Sequence, residues 1–294
     1  MNGGRLTPKP GCPILTGDVA GSNTLAFSPL ESNALSVLQN GVITQVPFTS
    51  GPTDETGPVL TLTGLTPWTA YDVFYGSDGL VLSSGWRDLA SRPALSFCAG
   101  LRLDSCQRVY LGTILTDANG LLTCHQGYEL DRVWSVWNHY NRRRTVLRMG
   151  TNRFLNGQSW HYGEPSWSPI WGSPLMRCSF VIGQPETYEA QYRQQAHMHM
   201  TSGQNAEYLT GLNVNGALNG DGTPTRFGET GALDLELYGD TPVTDCGGRA
   251  VARHIDPAAE GIHQITAIEM CQGTGTVNVW WGVANMCLSA DFMA

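Results

Sequence analysis

Arg132–Arg144 reads RVWSVWNHYNRRR. Two tryptophans, a tyrosine, two asparagines and four arginines (Arg132, Arg142, Arg143, Arg144) fall in one short run between two stretches of β-like pattern. An apolar run, Val109–Leu115, precedes it, and Asp117–Gly120 reads as a turn between them. Leu130, Val133, Trp134, Trp137 and Tyr140 fall on one side at helical spacing. That spacing predicts one short helix over Gln126–Arg142, with Trp134, Trp137 and Tyr140 as its core stripe. The segment then either joins two packed bodies or docks on another surface. Nothing in it has the make-up of a catalytic site.

Working outward, the first hundred residues read as short strands between turns. Leu25–Phe27, Ala34–Leu38, Gly41–Val46, Val59–Thr63, Ala70–Tyr75 and Leu80–Ser83 are the expected strands. Asn40-Gly41, Gly57-Pro58, Thr66-Pro67 and Asp78-Gly79 punctuate them, and Asn-Gly and Asp-Gly are strong hairpin signals. After Thr145 the β-pattern returns. Ser179–Ile182, Thr187–Gln194, Ala196–Thr201, Leu233–Tyr238, His263–Cys271 and Thr276–Trp281 are expected strands. Leu233, Leu235 and Leu237 alternate with Asp234 and Glu236, and glycine-rich loops fall within 211–231. The fold expected is mostly β, with two β-sandwich or jelly-roll-like modules joined by one short helix. The boundaries read as an N-terminal β module over 1–105, a strand–helix junction over 106–150 and a C-terminal sandwich over 151–294.

Composition agrees. The 294 residues are 41% apolar, enough for a real core. Charged residues make up 14%, against about 25% in an ordinary soluble domain. Glycine is abundant, with 35 copies, as tight β-turns require. Lys9 is the single lysine. Arginine is the cation favoured in contacts, so its dominance hints at a surface covered by other chains. A formal net charge of −8 opposes wrapping of nucleic acid, which needs clustered positive charge. No apolar run is long enough for a membrane-spanning helix. The first residues lack a signal-peptide core, so synthesis in a cytoplasm is expected, with the eight cysteines as buried thiols. Their spacing contains no CxxC pair, which opposes structural zinc.

Enzyme motifs are absent or broken. Gly157-Gln158-Ser159-Trp160-His161 misses GxSxG at its last position. There is no HExxH, and Lys9 does not sit in a phosphate-binding loop. Asn219–Thr223 is rich in Asp and Gly but lacks the acids of a calcium loop, and reads as a turn. Paired carboxylates for sugar cleavage cannot be assigned from sequence.

The order of several motifs is similar to a family of tailed-bacteriophage virion proteins. Asp18-Val19…Thr24–Pro29 matches an opening "DV…TLY-sP". Leu62–Thr66…Tyr71–Phe74 matches "LTGLT…YDVF". Tyr110–Thr113 gives "YLGT", and Val136–Arg142 gives "VWN-YNR". Ser159–Tyr162, Phe180–Gly183 and Gly261–His263 continue the order, so the likeness spans roughly residues 14–290. Ala26 stands where the family has an aromatic, and the triple arginine after Asn141 carries more charge than its pattern. The resemblance implies a non-enzymatic structural protein of the virion, made in the host cytoplasm. A capsid-associated decoration, cement or head-fibre protein is the expectation. The alternative is a tail or tail-fibre component that binds host surface glycans, and a polysaccharide-degrading enzyme is a third class. Self-association as a homotrimer is expected, with the major capsid protein or a tail adaptor as neighbour. No cofactor, nucleic acid or membrane insertion is expected.

Three constellations could carry recognition. Arg142, Arg143, Arg144, Arg148 and Arg153 form the basic patch, able to fork onto carboxylates of a neighbouring protein; an intrachain ion-paired face is the alternative. Trp160, Tyr162, Trp167 and Trp171 could stack on sugar rings, or clasp their own sandwich. His197 and His199 share one strand face and could meet on a threefold axis as metal ligands.

Overall fold

The computed structural model describes residues 3–51, 54–98, 100–129, 131–150, 159–162, 167–170, 176–199, 206–215, 234–237, 246–273, 276–280 and 286–294. Among these there is no α-helix; the chain is mostly β, in several sheets. The strands begin with β1 (Gly4–Thr7), β2 (Val19–Ser22), β3 (Thr24–Pro29), β4 (Ala34–Gln39), β5 (Val42–Pro47), β6 (Val59–Thr61), β7 (Ala70–Gly76) and β8 (Gly79–Leu82). Then come β9 (Ser96–Cys98), β10 (Leu101–Leu103), β11 (Val109–Leu115), β12 (Leu122–Cys124), β13 (Tyr128–Glu129), β14 (Arg132–Trp134), β15 (Val136–Asn138) and β16 (Arg144–Met149). The last are β17 (Ser159–Tyr162), β18 (Ser168–Pro169), β19 (Arg177–His199), β20 (Ala206–Val214), β21 (Asp234–Leu237), β22 (Cys246–Gly273), β23 (Thr276–Trp280) and β24 (Met286–Met293).

The six strands expected before residue 100 form close to their expected bounds. Asn40 and Gly41 both take positive φ, 51° and 78°, which is the two-residue turn that matches strand twist; it closes the β4–β5 hairpin. β1, β3 and β6 make one small sheet, and β8-β7-β11-β10-β9 a larger one, with β15 also paired to β11. A mixed 13-stranded sheet holds the rest, with β14 parallel to β19.

The helix expected over Gln126–Arg142 does not form. Arg132–Trp134 and Val136–Asn138 are strands, and Asp131 and Asn141 at either side take left-handed φ of 54°. The physical cause is burial on both faces. Every residue from Arg132 to Asn138 is buried, so the alternation of a half-exposed strand is erased. What remained was an accidental 3–4 spacing of the aromatics. The β-branched and aromatic content of VWSVW favours extended backbone. The core assignment of the aromatics holds without the helix: Trp134 and Trp137 are buried, and Tyr140 packs half-buried against the same cluster.

β19 and β22 run 23 and 28 residues, where separate short strands were expected. They pair antiparallel with register breaks between Ile182 and Tyr188. Phe180 and Tyr188 are eight residues apart on β19, which in a straight strand would be about 26 Å. Their ring centroids are 5.3 Å apart, and Phe180 stacks on Phe292 of β24 at 4.2 Å. β19 therefore folds back over itself at the break, through Gly183 and Pro185, and β22 follows with Pro257 and Gly261. One buried cluster runs from Leu6 to Phe292 and includes residues from all parts of the chain. Of the described cysteines, Cys124, Cys178 and Cys287 are buried as expected, whereas Cys98 and Cys106 are exposed and Cys12 is half-buried; all six are free thiols.

Gly112 of β11 faces the backbone of β15 so closely that an added Cβ would lie 2.2 Å from the Trp137 carbonyl oxygen. Gly112→Ala is expected to lose about 3 kcal/mol or more of unfolding free energy in urea titration. Gly17→Ala, with open space around it, should change it by less than about 0.5 kcal/mol.

Candidate functional site

Strand register brings distant pieces of sequence to one point. β7 pairs with β11 through Asp72↔Thr113 and Phe74↔Tyr110, and β15 pairs with β11 through Thr113↔Trp137 and Gly112↔Asn138. Asp72 is fully buried. Its carboxylate accepts two hydrogen bonds from the Arg92 guanidinium, at 2.8 and 2.9 Å, and one from the Thr113 hydroxyl at 2.7 Å. Arg92 also donates to Glu260 of β22 at 2.5 Å and lies over the Trp86 and Tyr110 rings. Tyr110 and Thr113 share a hydrogen bond, and the Tyr110 hydroxyl donates to the Gly183 carbonyl at the fold-back of β19. Burial, then the Asp72 charge, drives the Tyr110 phenol well above its ordinary range, so it stays a donor. A Cβ on Gly183 would meet the Tyr110 hydroxyl at 2.2 Å, which explains the glycine.

Asn138 closes the other side. Its side-chain oxygen accepts from the Leu6 backbone N–H at 2.6 Å and its amide donates to the Leu6 carbonyl. β1 is thereby fixed to β15 by one side chain that mimics a strand edge. Asn141 adds a bond to the Gly4 carbonyl.

The arginine run is divided among intrachain partners. Arg142 pairs with Glu186 at 2.8 Å and lies over the Trp137 ring. Arg144 forks onto Asp291 of β24. The Arg143 backbone exchanges two hydrogen bonds with Ala294, at 2.7 and 2.8 Å. Arg148 is exposed on β16, and Arg153 lies outside the described residues. The expectation of a free docking patch is corrected for Arg142 and Arg144, whose carboxylate partners are in the chain itself. Beneath this face lies a cavity of about 190 Å³ lined by Arg5, Cys124, Trp134, Asn138 and Arg143 among others.

Of the aromatic group, Trp167 is only 7% exposed and packs with Leu209, Ile268 and Met270. It offers no open ring face to a sugar, so the stacking role expected for it is corrected to packing. Trp160 and Tyr162 lie on β17, paired with β23; Trp171 lies outside the described residues. His197 and His199 lie on β19 opposite Asn278 and Thr276. Asn219–Thr223 also lies outside the described residues. Sequence reading missed Asp72, Arg92 and Glu260, because a buried triad spread over residues 72 to 260 leaves no local pattern. Asp72 was quoted only as part of a strand motif.

No family model and no curated protein matches the chain. Among solved structures, the chain has low similarity to the structure of infectious bursal disease virus Gx strain, at 10% identity and a TM-score of 0.24, over 80% of this chain and 58% of that chain. The infectious bursal disease virus VP2 subviral particle matches at 9% identity and a TM-score of 0.14, over 88% of this chain and 77% of that chain. Scores this low bear on neither fold nor function.

Arg92→Ala would leave Asp72 charged and buried without its guanidinium. A loss of about 3–5 kcal/mol is expected. Arg253→Ala, which breaks an exposed pair with Glu189, should cost about 1 kcal/mol or less; paired denaturation curves compare the two.

Acid should weaken the fold through histidine. Burial pushes His263 down to about 4. It also pushes His139 down to about 4, helped by the charges of Arg102 and Arg142. Below the ordinary value near 6.5 the unfolded chain takes up protons that the folded chain refuses. Stability is therefore complete above that value and falls as pH drops toward the folded value. His263→Phe should remove roughly 2–3 kcal/mol of the loss measured between pH 7.5 and pH 4.5.

Proposed function

We propose that this chain is a non-enzymatic structural component of a tailed-bacteriophage particle, a head decoration, cement or head-fibre protein. The observation that carries the reading is where the virion-protein motifs sit. "YDVF", "YLGT", "VWN" and "FVIG" are the parts of β7, β11, β15 and β19 that meet at Asp72, Tyr110, Gly112, Trp137 and Gly183. Residues that carry the likeness are buried, bonded to one another and fitted around two glycines. Their role is to hold the halves of the chain together. That is what a particle component under mechanical load needs, and it leaves these motifs no part in binding a substrate.

In this reading the C-terminal half is a jelly-roll-like sandwich, supported by the fold-back of β19 on itself. The halves on either side of the junction act as the two modules. The protein works as a homotrimer on the particle, beside the major capsid protein. The tail-fibre reading with host glycans rests on exposed aromatic faces, and Trp167 does not supply one.

Cryo-electron microscopy of the purified particle tests the proposal. Density for this chain is expected on the shell in many symmetry-related copies. Density confined to the tail would replace the head assignment with the tail one, and absence of the chain from the particle by mass spectrometry would sink both.

A further inference from the structure

Arg5 is a buried arginine without a carboxylate. It is 5% exposed, and its single side-chain hydrogen bond among the described residues runs from Nη2 to the Ala294 carbonyl oxygen, at 2.7 Å. A guanidinium carries five N–H donors, so most of its capacity is turned elsewhere. It lines the cavity of about 190 Å³ beneath the junction. Arg143 lines the same cavity, exposed at its mouth, with no side-chain hydrogen bond or ion pair among the described residues. No acidic side chain is in the lining.

The arrangement is costly without an anion. Two like charges face one partly desolvated space, and burial plus the charge of Arg143 lowers Arg5 to about 10. Other arginines in this chain that are buried or half-buried are matched: Arg92 with Asp72, Arg132 with Asp18, Arg177 with Asp131. Against a net charge of −8, this is the place where positive charge is left over. The space suits a small ion with accompanying water, since one water takes about 30 Å³ of liquid. The forked geometry of arginine suits a planar or tetrahedral oxyanion.

We propose that the cavity between Arg5 and Arg143 is a binding site for a small oxyanion of the phosphate, sulfate or carboxylate class. The deep wall is Arg5 and the gate is Arg143, whose backbone is pinned to Ala294. Bound charge locks β1 to the start of β16 and to the end of β24, so the ion acts as a removable clasp. The site stands whether or not the protein belongs to a particle.

The test is thermal unfolding of the intact protein in sodium phosphate, sodium sulfate and sodium acetate, each against sodium chloride at equal ionic strength, with calorimetric titration for affinity. At least one oxyanion should raise Tm by roughly 5 °C at a hundredfold excess over its dissociation constant. The anion that works identifies the class. Arg143→Ala removes an exposed side chain, so folding is retained, and affinity should fall about tenfold or more. Arg5→Lys keeps the charge but loses the fork, and should weaken binding similarly. Arg253→Ala, away from the lining, should respond like the parent. Equal Tm in all salts at matched ionic strength, or an Arg143→Ala response equal to the parent's, overturns the proposal.

Discussion

The Asp72 carboxylate is fully buried, and everything around it is arranged so that it can be. An isolated charge in such a place costs several kcal/mol. Here a forked guanidinium and a hydroxyl take its lone pairs, and the guanidinium passes its remaining charge to Glu260 on β22. The pair spans β7, the loop after β8 and the longest strand of the chain. Loss of any member leaves the others desolvated and unmatched. The early small sheets and the long C-terminal strands are thus coupled by charge as well as by apolar contact. The apolar part of the same junction is Trp137, held between Arg142 above its ring and the glycine-gated approach of β11.

The first hundred residues were legible because their strands are short and bounded by turns with specific chemistry. Asn40-Gly41 demands positive φ twice, and few other structures use it. The junction was illegible for the opposite reason. Buried on both faces, Arg132–Asn138 has no polar side to mark the period, and tryptophans placed three residues apart imitate a helix. The long strands misled differently. Gly183, Pro185 and Pro257 are turn residues in sequence, yet here they bend a continuous ladder rather than end it. Met286–Met293 was overlooked although Leu288, Ala290 and Phe292 alternate with Ser289, Asp291 and Met293, a pattern that the burial follows. Of the candidate site residues, the junction aromatics were readable as core. The acid partners of the arginines were not, since Glu186 and Asp291 lie far along the chain.

The arginine bias takes on another meaning in this setting. In composition alone it pointed to surface shared with other chains. In the fold, Arg5, Arg92 and Arg132 are buried, and Arg142 and Arg177 are half-buried with carboxylate partners. Lysine would serve badly there, because a compact, strongly hydrated ammonium loses more on desolvation and offers no fork. The arginines are internal clasps between strands remote in sequence. A chain with few apolar helices and many short strands needs such clasps, because each strand alone fixes little.

The same logic separates Arg143 from its neighbours. Arg142 and Arg144 reach Glu186 and Asp291, one on each side of the run, so successive residues of an extended segment are anchored to different strands. Arg143 between them keeps its backbone in the ladder with Ala294 and its side chain toward the cavity. Alternation along an extended backbone forces this division: two neighbours on one face find acids, and the residue between them must point the other way. The extra arginines that depart from the family pattern are therefore not one patch. Two of them complete the intrachain clasp, and the third supplies positive charge on the opposite side, where Arg5 already waits without an acid.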